Sequence, residues 1–220
     1  MDRDTQIALG RHLLHCLRQP QDSLQGEISY NDKSIYVDEA QWRQERDVLF
    51  RRYPLVAAAS CQLRQPGDFV AEDLAGTPVL VVRARDGDVR AFLNVCAHRG
   101  AAVVEEPCGE ARRTFACPYH GWVYDTDGRL VSIPQQGFGF EGLSLEGLRL
   151  VPLPAAERHG LVFVLPDPTG TLDLDAYLGA LGPELAGYGF GAYHHFETVV
   201  RTPEVNWKLV ADGFWEAYHI

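Results

Sequence analysis

The chain has 220 residues, a formal net charge of -10 and 46% apolar side chains, which allows one or two domains with a sizeable core. The acidic balance argues against nucleic acid as a partner, since that needs a basic face. No apolar run is long enough to span a membrane, and the acids in the opening MDRDTQIALG do not read as a secretory leader.

Near the start, Ile7, Leu13, Leu14 and Leu17 stand in loose helical register and predict a helix over residues 5–17. Residues 20–31 are polar and read as loop. Asp38 with Gln41 three positions on has the form of a capping box. A helix is therefore expected from Glu39 to about Phe50, with Trp42 and Leu49 on its buried side.

After Pro54 the texture changes to short β-rich runs at residues 55–63, 79–83, 89–95, 113–116 and 123–124. Turn sequences separate them: Pro66-Gly67-Asp68, Asp86-Gly87 and Asp127-Gly128. Residues 148–151 and 160–165 continue the pattern, with His159 as a turn residue. Many short strands at close spacing predict a compact antiparallel barrel or sandwich.

Within this region, Cys96 and His98 lie in CAHRG, and Cys117 and His120 lie in CPYHGW. The two mixed pairs are separated by the eighteen residues from Arg99 to Ala116. Both pairs run into a glycine, Gly100 and Gly121, and both fall between predicted strands. A thiolate and an imidazole on each loop suit a two-iron, two-sulfide cluster. The sulfurs would hold an inner iron and the imidazoles an outer one, which removes negative charge and raises the potential relative to four thiolates. A Cys2His2 zinc site uses the same donors. Zinc fingers, however, pair like with like on a hairpin and a helix, whereas Pro118 and Gly121 argue for tight loops. Tyr119 and Trp122 are expected to shield the centre from water. Arg99 reads equally as a solvated cation or as a charge beside a partner. Of the five cysteines, Cys16 and Cys61 read as packing residues and Cys108 as an ordinary thiol. An odd, scattered remainder gives no disulfide framework, so a cytoplasmic location is expected.

A second change follows Pro166-Asp167-Pro168. Residues 172–181 look helical, 182–191 are glycine-rich and 195–201 look like a strand. His194 and His195, adjacent on that strand, would point to opposite faces. Residues 204–219 read as a helix with Trp207, Val210, Phe214 and Tyr218 three or four apart. The chain stops inside that element, as a truncated sequence would.

Taken in order, PGDF, NVCAHRGA, FACPYHGWVYDTDGRL, GLVFV and NWKLVADGFWEAYHI resemble the large (alpha) subunit of Rieske non-heme iron oxygenases, from about Val37 to the last residue. The resemblance implies an α+β fold: N-terminal helices over residues 1–52, an antiparallel β Rieske [2Fe-2S] domain over 53–166, and over 167–220 the beginning of an α+β catalytic domain. It implies two cofactors, the [2Fe-2S] cluster on Cys96, His98, Cys117 and His120, and a mononuclear Fe(II) held by two histidines and a carboxylate. His219 matches the first of those histidines and Glu216 the carboxylate that bridges to a neighbouring subunit's cluster. Asp212, one turn earlier, shares their face. The second histidine would fall about five residues beyond His219, past the end of this sequence, and the ligand carboxylate further on.

The chain departs from the pattern in several places. Ala101 and Tyr119 stand where respiratory Rieske proteins carry two further cysteines, and Trp122 stands where those have a serine bonded to a sulfide. Fewer such bonds imply a lower potential. Glu216 replaces the more common aspartate, as in groups acting on quaternary ammonium compounds, and Asp212-Gly213 departs from the common acid-asparagine pair. The implied activity is hydroxylation of a small organic, commonly aromatic, substrate by O2. An NAD(P)H-dependent reductase, directly or through a ferredoxin, would supply electrons to a homotrimer or hexamer. Demethylation or cleavage of a quaternary amine is the alternative within the family. A stand-alone Rieske electron carrier and a colourless zinc-stabilised binding module are the alternatives outside it.

Overall fold

The structure is a computed structural model that describes residues 2–20 and 30–215. It divides into two compact units, Ala40–Arg201 and a smaller one made from Met1–Glu39 with Thr202–Ile220.

Eleven short strands lie in the larger unit: β1 (Leu55–Ala59), β2 (Phe69–Leu74), β3 (Thr77–Arg83), β4 (Val89–Leu93), β5 (Cys108–Gly109), β6 (Thr114–Ala116), β7 (Val123–Asp125), β8 (Leu130–Ser132), β9 (Pro152–Leu153), β10 (Ala155–Arg158) and β11 (Leu161–Val164). They form three sheets, in the orders β1-β11-β10, β5-β2-β3-β4-β9 and β6-β7-β8. Every pairing is antiparallel, and with the helices this gives the expected α+β class.

Strand β3 explains how the sheets pack. Its Val79, Leu80, Val81 and Val82 are all fully buried. Leu80 and Val82 face one core with Phe69, Phe92, Phe115 and Tyr124. Val79 and Val81 face a second with Leu63, Val162 and Val164. A continuous apolar run is what a strand covered on both faces requires, because successive side chains point to opposite sides. Cys96, Cys117 and Trp122 belong to the first core.

The helices refine the sequence reading. The first, α1 (Arg3–Arg18), begins where Asp2 accepts the Thr5 backbone N–H at 2.9 Å. A short helix that the sequence did not suggest, α2 (Ser34–Val37), precedes the second expected helix, which is present as α3 (Glu39–Glu45) and continues as a π-helical turn over Arg46–Phe50. Trp42 packs on Phe50, with ring centroids 6.1 Å apart, and Leu49 is exposed. The wider π turn takes extra residues per revolution and so rotates Leu49 off the face that Trp42 shares.

Further along, the expected strand over 148–151 is replaced by a single bridge between Arg129 and Arg149, with β9 just beyond it. Helix α4 (Leu174–Leu178) stops at Gly179, whose φ is 47°, and α5 (Leu181–Tyr188) then runs through the glycine-rich segment. Residues 193–200 form neither strand nor helix and are exposed. Phe196 and Val200 there lie open to solvent; the β-like composition has no neighbouring strand to pair with. In the smaller unit α2 meets α6 (Trp207–Trp215) through Tyr36. Its hydroxyl donates to Asp212 Oδ2 at 2.7 Å, and its carbonyl accepts from Asn206 Nδ2 at 3.0 Å. The expected loop at 21–29 lies outside the described residues.

Arg83 on β3 ties the five-stranded sheet to β10. It donates to both Glu157 carboxylate oxygens, at 2.7 and 3.1 Å, and to the Leu63 carbonyl at 2.7 Å. The Arg83 bond is the main reason the Glu157 carboxyl sits below its ordinary range. A carboxylate whose pKa is lower folded than unfolded contributes stability that is complete above the unfolded value, about 4.3. That contribution disappears as pH falls through the lower folded value. The expected outcome for Glu157→Gln is a lower urea midpoint at neutral pH and a shallower loss of stability between neutral and acid. Parallel acid profiles for the two proteins would exclude this role.

Candidate metal centre

Two loops present the candidate ligands, one after β4 and one between β6 and β7. They are closed in the same way. Cys96 N–H donates to the Ala101 carbonyl at 2.8 Å, and Gly100 N–H returns to the Cys96 carbonyl at 2.9 Å. Cys117 N–H donates to the Trp122 carbonyl at 2.8 Å, and Gly121 N–H returns to the Cys117 carbonyl at 2.9 Å. Each closure needs a left-handed residue four positions after the cysteine, and Gly100 and Gly121 supply it with φ of 77° and 69°. Only glycine adopts that region without strain.

This geometry sorts the donors by depth. Cys96 and Cys117 are 3% and 2% exposed, His98 is half-buried and His120 is exposed. The two imidazoles face one another with ring centroids 4.7 Å apart. A tetrahedral zinc site would draw all four donors onto one ion. A two-iron cluster needs only two protein donors per iron, the sulfides completing each. A buried pair of thiols and an outer pair of imidazoles fit that arrangement.

Trp122 is buried and stacks on His98, at 4.9 Å between centroids and 11° between planes, and Phe140 meets both rings edge-on. Burial makes Trp122 a cover for the centre rather than part of its outer surface. Tyr119 is more than half exposed and lies against His120 at 3.8 Å, so it flanks that ring without enclosing it.

Two residues that hold the centre escaped the sequence reading. Tyr124, fully buried on β7, accepts the Ala97 N–H at 3.0 Å and lies 3.2 Å from Cys96 Sγ. Either atom can donate while the sulfur is a thiol; toward a metal-bound thiolate, which carries no proton, the phenol is the donor. Burial, reinforced by that bond, pushes the phenol well above its ordinary pKa. The signal was available: a tyrosine on the inward side of a strand needs a partner for its hydroxyl. Asn94 is also buried. Its Oδ1 accepts from the Val103 and Val104 N–H groups, both at 3.0 Å, and its Nδ2 donates to the Val104 carbonyl at 2.7 Å. It thereby pins the chain leaving the first loop to the chain entering it.

Asp212 sits on α6 bonded to Tyr36. Glu216 and His219 lie outside the described residues. His194 contacts Arg64 and His195 bonds Thr198; their expected placement on opposite faces of a strand does not apply, because the segment is not a strand. All five cysteines are free.

Comparison with known proteins agrees with the geometry. Residues 53–145 match the Rieske [2Fe-2S] domain model. The chain is 34% identical over 200 residues to the chlorobenzene dioxygenase alpha subunit of Cupriavidus sp. (strain PS12), covering 86% of this chain and 42% of that one. The chain contains a Rieske [2Fe-2S] domain, and its relatives are named as alpha or oxygenase subunits of dioxygenases and monooxygenases. It is also 32% identical over 192 residues to the carnitine monooxygenase oxygenase subunit of Escherichia coli (strain K12), covering 84% of this chain and 49% of that one. The solved quaternary ammonium Rieske monooxygenase CntA in complex with L-carnitine superposes with a TM-score of 0.77 at 28% identity, over 85% of this chain and 53% of that one. The chain thus spans about half the length of the relatives it matches.

Two substitutions test the roles of the missed residues. Removing the Tyr124 hydroxyl withdraws a bond that favours the more negative, reduced sulfur. If that bond differs by about 1 kcal/mol between redox states, Tyr124→Phe lowers the one-electron midpoint by roughly 40 mV, at about 59 mV per tenfold change. A potential unchanged in protein-film voltammetry would remove Tyr124 from the account. Asn94→Leu keeps the volume and strands two N–H groups and a carbonyl. A loss of about 2–4 kcal/mol is expected in urea unfolding, with fewer chains retaining the red-brown chromophore.

Proposed function

We propose that Cys96 and Cys117 hold the inner iron, and His98 and His120 the outer iron, of the Rieske cluster. The separation in depth between buried sulfurs and outward imidazoles carries this assignment. When bound, the cluster supplies a one-electron store whose potential lies above that of an all-thiolate centre. The protein's part is to exclude water from the sulfurs through Trp122 and Tyr124 and to leave His120 open to a partner.

The full-length protein is then an oxygenase that uses O2 to hydroxylate a small organic substrate. Electrons come from an NAD(P)H-dependent reductase, directly or through a ferredoxin. Glu216 serves as the bridging carboxylate, His219 as one ligand of a mononuclear Fe(II), and Asp212 joins their network from the preceding turn. Inter-subunit electron transfer is described for a solved quaternary ammonium Rieske monooxygenase at 28% identity; it supports a homotrimer or hexamer here. The free cysteines suit a reducing cytoplasm, and no described helix is long and apolar enough to cross a membrane.

An aromatic substrate is the first reading, supported by the chlorobenzene dioxygenase alpha subunit at 34% identity. A quaternary amine is the second, favoured by Glu216 and by the superposition on CntA at a TM-score of 0.77. The deciding experiment supplies the full-length protein with reductase, NADH and O2, and offers chlorobenzene and L-carnitine separately. Hydroxylated product from chlorobenzene supports the first reading, and oxidised carnitine the second. A cluster that reduces normally, with its rhombic paramagnetic resonance signal, but drives no O2-dependent product from either would point to an electron carrier. A colourless zinc protein would overturn the cluster assignment as well.

A further inference from the structure

A second concave site lies at the opposite end of the β6–β7 hairpin from the candidate metal centre. Arg113 precedes β6 and Cys117 follows it; Thr126 follows β7 and Trp122 precedes it. At that far end a cleft of about 470 Å³ is lined by Arg85, Arg112, Arg113, Thr126, Pro66 and Gly67, among others. Three guanidinium groups in one cleft stand out in a chain of net charge -10.

Charge pairing leaves much of this positive charge available. Arg112 donates to Glu106 at 2.8 Å and lies 4.9 Å over the Phe69 ring, so it is fixed in place and half-neutralised. Arg85 and Arg113 are exposed, and neither has a hydrogen bond or ion pair among the described residues. The carboxylates of Asp86, Asp127 and Asp68 are committed elsewhere. Asp86 and Asp127 are held by Arg90, and Asp68 is buried on the N–H groups of Gln65 and Ala111.

Thr126 is the independent sign of a ligand. It is 2% exposed, and its hydroxyl has no hydrogen-bond partner among the described residues. That hydroxyl is nevertheless not sealed in: the single buried, unpartnered side-chain oxygen or nitrogen among the described residues is Ser60 Oγ. Thr126 is among the residues that line the cleft. A nearly buried hydroxyl with no partner carries a desolvation cost that a bound acceptor removes.

We infer that this cleft binds a small phosphate-bearing molecule, with Arg85 and Arg113 gripping the phosphoryl oxygens and Thr126 donating to one of them from below. Planar guanidinium forks match phosphoryl oxygens in pairs. The volume is in the range of small-molecule sites. The recessed hydroxyl favours a compact anion over the side chains of an acidic protein, which meet a surface before they meet its floor.

Calorimetric titration of the full chain carrying its cluster, with pyrophosphate and with inorganic phosphate at physiological ionic strength, tests this. Saturable binding of pyrophosphate is expected. The double variant Arg85→Gln/Arg113→Gln should weaken it about tenfold or more. Thr126→Val, which leaves the charge unchanged, should weaken it severalfold. The visible spectrum of the cluster reports that each variant is folded. Absence of saturable heat with both anions overturns the inference, as does equal affinity in folded variants. Displacement of pyrophosphate by polyglutamate at matching affinity also overturns it, and assigns the cleft to an acidic protein instead.

Discussion

Everything chemical in this protein depends on two loops shut by the same pair of backbone hydrogen bonds. In each, a cysteine N–H reaches forward five residues and a glycine N–H reaches back four. That closure turns the sulfur toward the core and the histidine toward the outside. Asymmetry between the two ends of the centre is therefore a property of backbone geometry, and the side chains inherit it. Replacing either glycine would force a side chain into the left-handed region and would disturb the ligand depth before it touched a ligand.

The loops can hold this shape because of what lies beneath them. Strand β3 is buried on both faces and separates two apolar cores, so the sheet under the centre has no solvent side on which to relax. Both thiols are members of the core that β3 shares with Phe92, Phe115 and Tyr124. Burying two sulfurs that become thiolates is costly unless positive charge or hydrogen bonds meet them. Irons held by these residues would provide the first, and Tyr124 would provide the second. The departure at Trp122, which removes one expected hydrogen bond to the centre, is thus offset in part by Tyr124 two residues later.

Position along the hairpin separates two kinds of surface. One end of β6–β7 carries the metal-binding loop, covered by rings that stack on His98. The other end carries unpaired guanidinium groups around a hydroxyl. A short hairpin places the two ends in one rigid element, so an anion bound at one end and an electron held at the other would act on the same strands.

The candidate ligands could be named from the sequence because their chemistry is local: Cys-x-His and Cys-x-x-His, each running into glycine, suggest the donors and also the turns, and the turns are those the structure shows. The class of fold was legible too, since alternating apolar runs between Pro-Gly and Asp-Gly turns describe antiparallel strands wherever they finally pair. Strand β3 could be read as a run but not as the wall between two cores, and the β-like stretch at 195–201 could not be known to lack a partner. Leu49 left the face of Trp42, where Phe50 packs instead, because one π turn shifts a face. That Tyr124 needs a hydroxyl partner could be read in advance, but its meeting with Cys96, the bonds of Asn94 and the cleft at Thr126 could be seen only once the chain was folded. Hydrogen bonds and empty spaces between residues far apart in sequence depend on where the sheets bring those residues, whereas a ligand motif carries its own geometry.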